Sequence, residues 1–244
     1  MKFGVLGDIH SNLEALTVVL KHLEKEKVDK IFCLGDIVGY NANPSECVDM
    51  LIEKDVVCIS GNHDRFVSGE IDAVIRPETK HVIEHTRKVL RKDQLDFISD
   101  LSDERYWQDI FLFVHGSPRH KDEYINSLQA ARNSLNALRK ERPFVSICFY
   151  GHTHLPYVIS SKSIDTDFHQ ERTLALDKRF TYLVNPGSVG QPRDQCSLSS
   201  CIIFDIDKHE LKYYRLKYDI SSTQQKIKSI GFDPKLAERL AKGR

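Results

Sequence analysis

FGVLGDIH (residues 3–10), KIFCLGD (30–36), VVCISGN (56–62), IFLFVHG (110–116) and VSICFYGH (145–152) are short apolar runs, each ending on a glycine and a polar residue. Runs of this length that stop at turn residues have the pattern of buried strands releasing their loops along one edge of a sheet. Helical periodicity fills the gaps between the first three. The segment after His10 predicts a helix opened by a capping box from Ser11 to Glu14, with Leu13, Leu16, Leu20 and Leu23 on one stripe. Asn43-Pro44 with Glu46 opens a second, turning Cys47, Val48, Leu51 and Ile52 inward. The first part therefore reads β-α-β-α-β.

From Pro77 to about Leu101 the pattern is helical, with Val82, Ile83, Thr86, Val89 and Leu90 on one face and Asp93 as the cap of a short further helix. A helical insert is expected at about 123–140. Beyond His154 the character changes to alternating strands, YVISS, RFTYLVN, SSCIIFDI and ELKYYRLK, with a polar loop around 161–172. The tail at about 221–244 reads as helical, its Lys and Arg as a solvated face. Neither a repeat nor a linker divides the chain, so residues 1–244 are expected to form a single domain.

Hydrophobic residues make up 41% of the chain and charged residues 29%, a globular balance. The 35 basic and 35 acidic side chains cancel, so no overall field draws the protein to nucleic acid or anionic lipid, and an anionic substrate must be recognised locally. No apolar run is long enough for a signal-peptide core or a membrane span, and a cytoplasmic location is expected. Cys33, Cys47, Cys58, Cys148, Cys196 and Cys201 include no C-x-x-C pair and read as reduced core residues.

The chemistry lies where the apolar runs end. Asp8, Asp36, Asn62, His115 and His152 stand at those points, and Asp, Asn and His are hard or borderline metal ligands. In Asp8-Ile9-His10 and in His152-Thr153-His154, two candidate ligands are one residue apart, which in extended backbone places both on the same side. Alone, each is an ordinary turn or cap residue. Together they form an ordered set: Gly-Asp-x-His, Gly-Asp-x-x-Gly, Gly-Asn-His-Asp, His-Gly and Gly-His-Thr-His.

That set resembles the calcineurin-like metallophosphoesterase superfamily, and NPGSVGQPRD (185–194) is similar to its compact bacterial and archaeal phosphodiesterase-like branch. The resemblance implies an α/β four-layer sandwich, two mixed β-sheets flanked by helices. It implies one metal on Asp8, His10, Asp36 and His154 and a second on Asp36, Asn62, His115 and His152, with Asp36 shared. Two divalent ions are expected, and a donor set without Cys suits manganese, iron, zinc or a mixed pair. Hydrolysis would proceed by attack of a metal-bridging hydroxide. His63 then becomes the leaving-group acid with Asp64 orienting it, and Asn12, Arg193 and Arg119 become candidate phosphate contacts. Asn185-Pro186-Gly187 reads as a shaped turn behind the site. Tyr40 and Tyr124 read as packing residues, with stacking on an aromatic substrate group as the alternative.

In the protein-phosphatase and tetraphosphatase branch the second block carries an arginine where this chain has Gly39-Tyr40-Asn41. The difference points to small phosphodiesters or monoesters, nucleotide-derived ones included. Two rivals stand beside this reading. His81-Val82-Ile83-Glu84-His85 matches the H-x-x-E-H pattern of inverted zinc peptidases, against a solvated helix face. A non-catalytic scaffold of the same fold is the other, opposed by the presence of every candidate ligand and of His63.

Overall fold

The computed structural model describes residues 1–71 and 76–244. It contains two six-stranded mixed sheets. In the first, β1 (Lys2–Leu6), β2 (Lys30–Cys33) and β3 (Val57–Cys58) are parallel. The sheet continues from β1 through antiparallel β11 (Ser199–Asp205), β12 (Glu210–Leu216) and β9 (Arg172–Ala175). In the second, β5 (Phe111–Val114), β6 (Ile147–Tyr150) and β10 (Tyr182–Pro186) are parallel. Antiparallel β4 (Glu104–Trp107) forms one edge, and β7 (Pro156–Ser160) with β8 (Ile164–Asp165) forms the other.

Side-chain alternation makes the layers. Phe3 and Val5 of β1, Phe32 of β2, Phe111 and Phe113 of β5, Ile147 and Phe149 of β6, and Ile202 and Phe204 of β11 meet between the sheets. The Phe32 and Phe113 rings stack across that gap at 4.1 Å. The intervening residues face helices, because a period of two sends neighbours to opposite faces. Leu6 and Cys33 pack with residues of α1 (Leu13–Lys25), α2 (Pro44–Glu53), α3 (Asn62–Ser68), α4 (Pro77–Val89) and α5 (Lys92–Ser99). Leu112, Cys148 and Leu183 pack under α6 (Leu128–Glu141) on the far side. Two further helices, α7 (Ile220–Ile230) and α8 (Pro234–Lys242), form a small cluster with Val82 of α4 and with Tyr40.

Several local expectations are corrected. The first helix is capped by Asn12, whose side chain accepts from Ala15 N, and not by Ser11, whose hydroxyl accepts from Gly39 N. Arg91, not Asp93, precedes α5, with the Gln94 side chain accepting from its amide. Ile52 and Val89 point outward, at 46% and 41% exposure. The insert helix begins at Leu128, where the Ser127 hydroxyl caps it. Strands β4 and β9 lie outside the expected strands, and β8 interrupts the expected polar loop; all three are edge strands of four residues or fewer, too short to show a period. All six cysteines are free, five of them buried and Cys196 half-buried. No helix among the described residues is long and apolar enough to cross a membrane.

Candidate metal centre

β1, β2, β3, β5 and β6 all release their chains at one end of the two sheets, and the loops that follow are bonded to one another. Asp8 N donates to Gly35 O, His10 N to Asp36 O, and Gly151 N to His115 O. The loop after β10 closes the back: Ser188 Oγ and Gly190 N both donate to Asp8 O, and Asn185 Nδ2 donates to Gly151 O and Thr153 Oγ1. The 185–187 turn thus shapes the His152–His154 loop from behind.

These loops are not extended. Asp8, His10, Asp36, His152 and His154 all have positive φ, between 48° and 65°. The i, i+2 pairs therefore reach the same place through left-handed backbone, which corrects the extended geometry expected from spacing. Each such non-glycine residue costs about 1–3 kcal/mol and persists only where its surroundings over-determine it. The close approach also restricts neighbours: a Cβ on Gly61 would overlap the amide and carboxylate of Asp36.

The side chains converge in two groups sharing Asp36. Asp8, His10, Asp36 and His154 each offer a ligand atom, all within 4.8 Å of one another, as do Asp36, His115 and His152. Asn62 Oδ1 lies 3.1 Å from His115 Nε2, which places it in the second group. Asp36 Oδ2 is 3.4 Å from His10 Nε2 and 3.5 Å from His115 Nε2, so one carboxylate oxygen faces both.

Three imidazoles are held in one tautomer. His10 Nδ1 faces Val38 O at 3.2 Å, His115 Nδ1 faces Leu34 O at 2.8 Å, and His154 Nδ1 faces Gln191 O at 2.6 Å. A ring nitrogen beside a carbonyl oxygen must donate, so in the neutral ring it is the Nε2 lone pair that is turned to the cluster. Consequently His10 Nε2 and His154 Nε2 meet at 3.1 Å with no proton to share. Asp8 Oδ2 is buried without a partner. Lone pairs facing each other and an orphaned carboxylate oxygen are costly unless a cation lies among them, so the residues present fit divalent metal binding.

Titration follows the same logic. Burial holds His10 and His154 well below the ordinary imidazole range and brings His152 down to about 3, so all three are neutral candidate ligands at pH 7. Burial lowers His115 too, but the Asp36 charge outweighs it and lifts the ring to about 9, a proton standing where a cation fits. Burial pushes Asp8 up to about 7. For Asp36 the upward push of burial is outweighed by His115, His63 and His10, which keep it ionised.

The cluster opens onto a cleft of about 660 Å³ lined by Tyr40, Asn62, His63, Tyr124 and Arg193, among others. The His63 ring lies 4.8 Å from that of His10 and 4.4 Å from that of Tyr40. Its Nδ1 is enclosed without a partner, and a Cβ on Gly39 would sit 2.5 Å from it.

The calcineurin-like phosphoesterase superfamily domain matches residues 1–209. The chain belongs to this superfamily. It is 36% identical over 248 residues to an uncharacterized protein of Methanocaldococcus jannaschii, covering 99% of this chain and 98% of that one. It superposes on a metallophosphoesterase from Sphaerobacter thermophilus with a TM-score of 0.86 at 32% identity, covering 100% and 99% of the two chains. A hypothetical protein of Pyrococcus horikoshii, at 18% identity and a TM-score of 0.79 over 100% and 98%, shares the fold.

In this phosphoesterase-family chain the other sequence candidates separate. Arg193 reaches the cleft. Arg119 lies in a different groove, ion-paired with Glu123 at 3.0 Å. Asn12 is fully buried, with Nδ2 on Gly190 O and Oδ1 accepting from Ala15 N and the Thr223 hydroxyl, so it caps a helix and has no group free for a ligand. Asp64 does not orient the His63 ring. Its Oδ1 accepts from Ile37 N and Val38 N and its Oδ2 from Gly61 N, which pins the Asp36 loop to the start of α3. The H-x-x-E-H segment is a helix surface: His81 and His85 rest edge-on against Phe232, and Glu84 pairs with Lys80. Tyr40 and Tyr124 do pack, but on His10, His63 and His152, at the cleft itself. Sequence reading missed the carbonyls of Leu34, Val38 and Gln191, which no side-chain pattern reveals, and the contribution of α8 to the cleft wall.

Proposed function

We propose that the protein hydrolyses small phosphoesters, diesters or monoesters, nucleotide-derived ones included, with two divalent cations held on Asp8, His10, Asp36 and His154 and on Asp36, Asn62, His115 and His152. The observation that carries this reading is the shared Asp36 carboxylate between two groups of buried imidazoles, three of them oriented by backbone carbonyls at Nδ1. Bound there, cations of the manganese, iron or zinc type supply an activated water and neutralise charge on the phosphoryl oxygens.

The chain's own residues do the rest. His63, beside the cluster and lining the cleft, gives a proton to the leaving oxygen. Burial holds its ring below the ordinary histidine range, and the negative charge of a bound phosphoester works in the opposite direction. Asp64 is a positioning residue, since it fixes the loop that carries Asp36 and the helix that carries His63. Arg193, lining the same cleft, binds phosphate oxygens. Residues 1–244 act as one domain, a reading supported by the packing of α7 on α1 and by the α8 residues in the cleft. Five buried free thiols suit a cytoplasmic, reducing setting.

The test is a panel of phosphomonoesters, phosphodiesters, cyclic nucleotides and dinucleoside polyphosphates, run across several divalent metals. Metal-dependent hydrolysis of small esters is expected. Manganese-loaded protein that hydrolyses none of them would move the assignment to a non-catalytic scaffold.

A further inference from the structure

The C-terminal helix α8 lies beyond the residues matched by the superfamily domain, yet it forms one wall of the catalytic cleft through Leu236 and Arg239. Arg239 is half-buried, with its Cζ 5.9 Å from the Tyr40 ring centroid. The same ring lies 4.4 Å from His63 and 4.6 Å from His10. One aromatic ring therefore separates this guanidinium from the reaction centre.

Arg239 donates through Nε to Arg244 O, and Arg193 donates through a terminal nitrogen to Gln191 Oε1. Among the described residues no Asp or Glu carboxylate lies within ion-pair distance of either guanidinium, although the ion pairs elsewhere on the molecule are many. Arg193 Nε is buried without a partner. Burial and the Arg193 charge together lower Arg239 from its ordinary value. The lining carries Arg76, Arg193, Lys235, Arg239 and Arg244 against Glu78 and Asp233, a local cationic excess in a chain of zero formal net charge. Two guanidiniums brought to one partly dry cleft without an acidic side chain beside either repel each other, and an anion relieves both that repulsion and their remaining donors.

We infer that Arg239 forms a second phosphate subsite across Tyr40 from the metal centre, so that the preferred substrates are phosphoesters bearing another phosphate group. This rests on the phosphoesterase reading above. The scissile phosphoryl group occupies the metal side with Arg193, and the additional phosphate occupies the α8 side with the Arg239 terminal nitrogens. Substrate selection is then done by a helix outside the superfamily core, while the chemistry stays within it.

Competition against nitrophenyl ester hydrolysis by the manganese-loaded protein tests the subsite, with adenosine 3′,5′-bisphosphate and adenosine 5′-monophosphate as probes. The bisphosphate should compete about tenfold or more better than the monophosphate in the wild type. In Arg239→Gln that preference should shrink to below about threefold, and Arg239→Lys should restore part of it. A wild-type preference near one, or one unchanged in Arg239→Gln, overturns the subsite. If the wild type hydrolyses no ester at all, the phosphoesterase reading fails. Calorimetric binding of the two probes to the same manganese-loaded wild type and Arg239→Gln then decides the subsite separately, by the same ratios.

Discussion

The two walls of the cleft are built on opposite principles. On the side of the candidate metal centre, five candidate ligand residues are forced into left-handed backbone and held there by hydrogen bonds between loops more than a hundred residues apart in sequence. On the α8 side the wall is an ordinary amphipathic helix, with Leu236, Ala237 and Leu240 buried and its polar residues facing a wet cleft. The first wall admits almost no change without losing its geometry. The second can exchange side chains at little cost in folding, which is what a specificity surface requires.

Changes on the rigid wall should therefore have the largest effects. Asp36→Asn or His154→Ala should reduce metal-dependent turnover to background while the circular dichroism spectrum stays native, because the ligand is lost but the surrounding core is not. Turnover unchanged in both variants would sink the assigned centre. His63→Ala should lower kcat by about 10²–10⁴-fold with metal content unchanged, read by turnover and elemental analysis together. A parallel loss of metal would make His63 a structural member of the centre rather than its acid.

Smaller effects should come from packing. Gly61→Ala forces a methyl group against the Asp36 amide, and a loss of about 1–3 kcal/mol in denaturant-monitored stability is expected, with weaker metal retention. A neutral result would mean that α3 and the Asp36 loop move apart easily, contrary to the rigid-wall picture. Glu14→Gln tests how the tail is attached. Burial raises the Glu14 carboxyl, but Lys226 and the Thr223 hydroxyl outweigh it and hold it below 4.5, its ordinary value. Being depressed in the fold, it contributes stability above pH 4.5 that is lost as the pH falls through the lower folded value. The pair is partly exposed, so the difference between wild type and Glu14→Gln should be below about 1 kcal/mol at pH 7 and vanish on acidification. A difference that grows at low pH would contradict the pairing.

The same contrast explains what the sequence made legible. The glycine-bounded runs announce where strands end, and the order of Asp, Asn and His at those ends carries the layer architecture with it. The local geometry was hidden because it is set by partners remote in the chain: Ser11, at φ 57°, serves the Gly39 amide, and Asn12 takes the capping role. Short edge strands such as β4 and β8, of four and two residues, are too brief to give a period. Arg239 was concealed for a different reason. Helical periodicity separates buried from wet positions, but a cleft is itself wet, so a residue lining it has the same pattern as one facing bulk solvent.

The most direct measurement is a titration of the metal-stripped protein with manganese, recording nitrophenyl phosphodiester and monoester hydrolysis at each addition. The account predicts activity that saturates at two equivalents per chain in the wild type and stays at background throughout in Asp36→Asn. Absence of hydrolysis at every ratio, or the same saturating curve in Asp36→Asn, would contradict it.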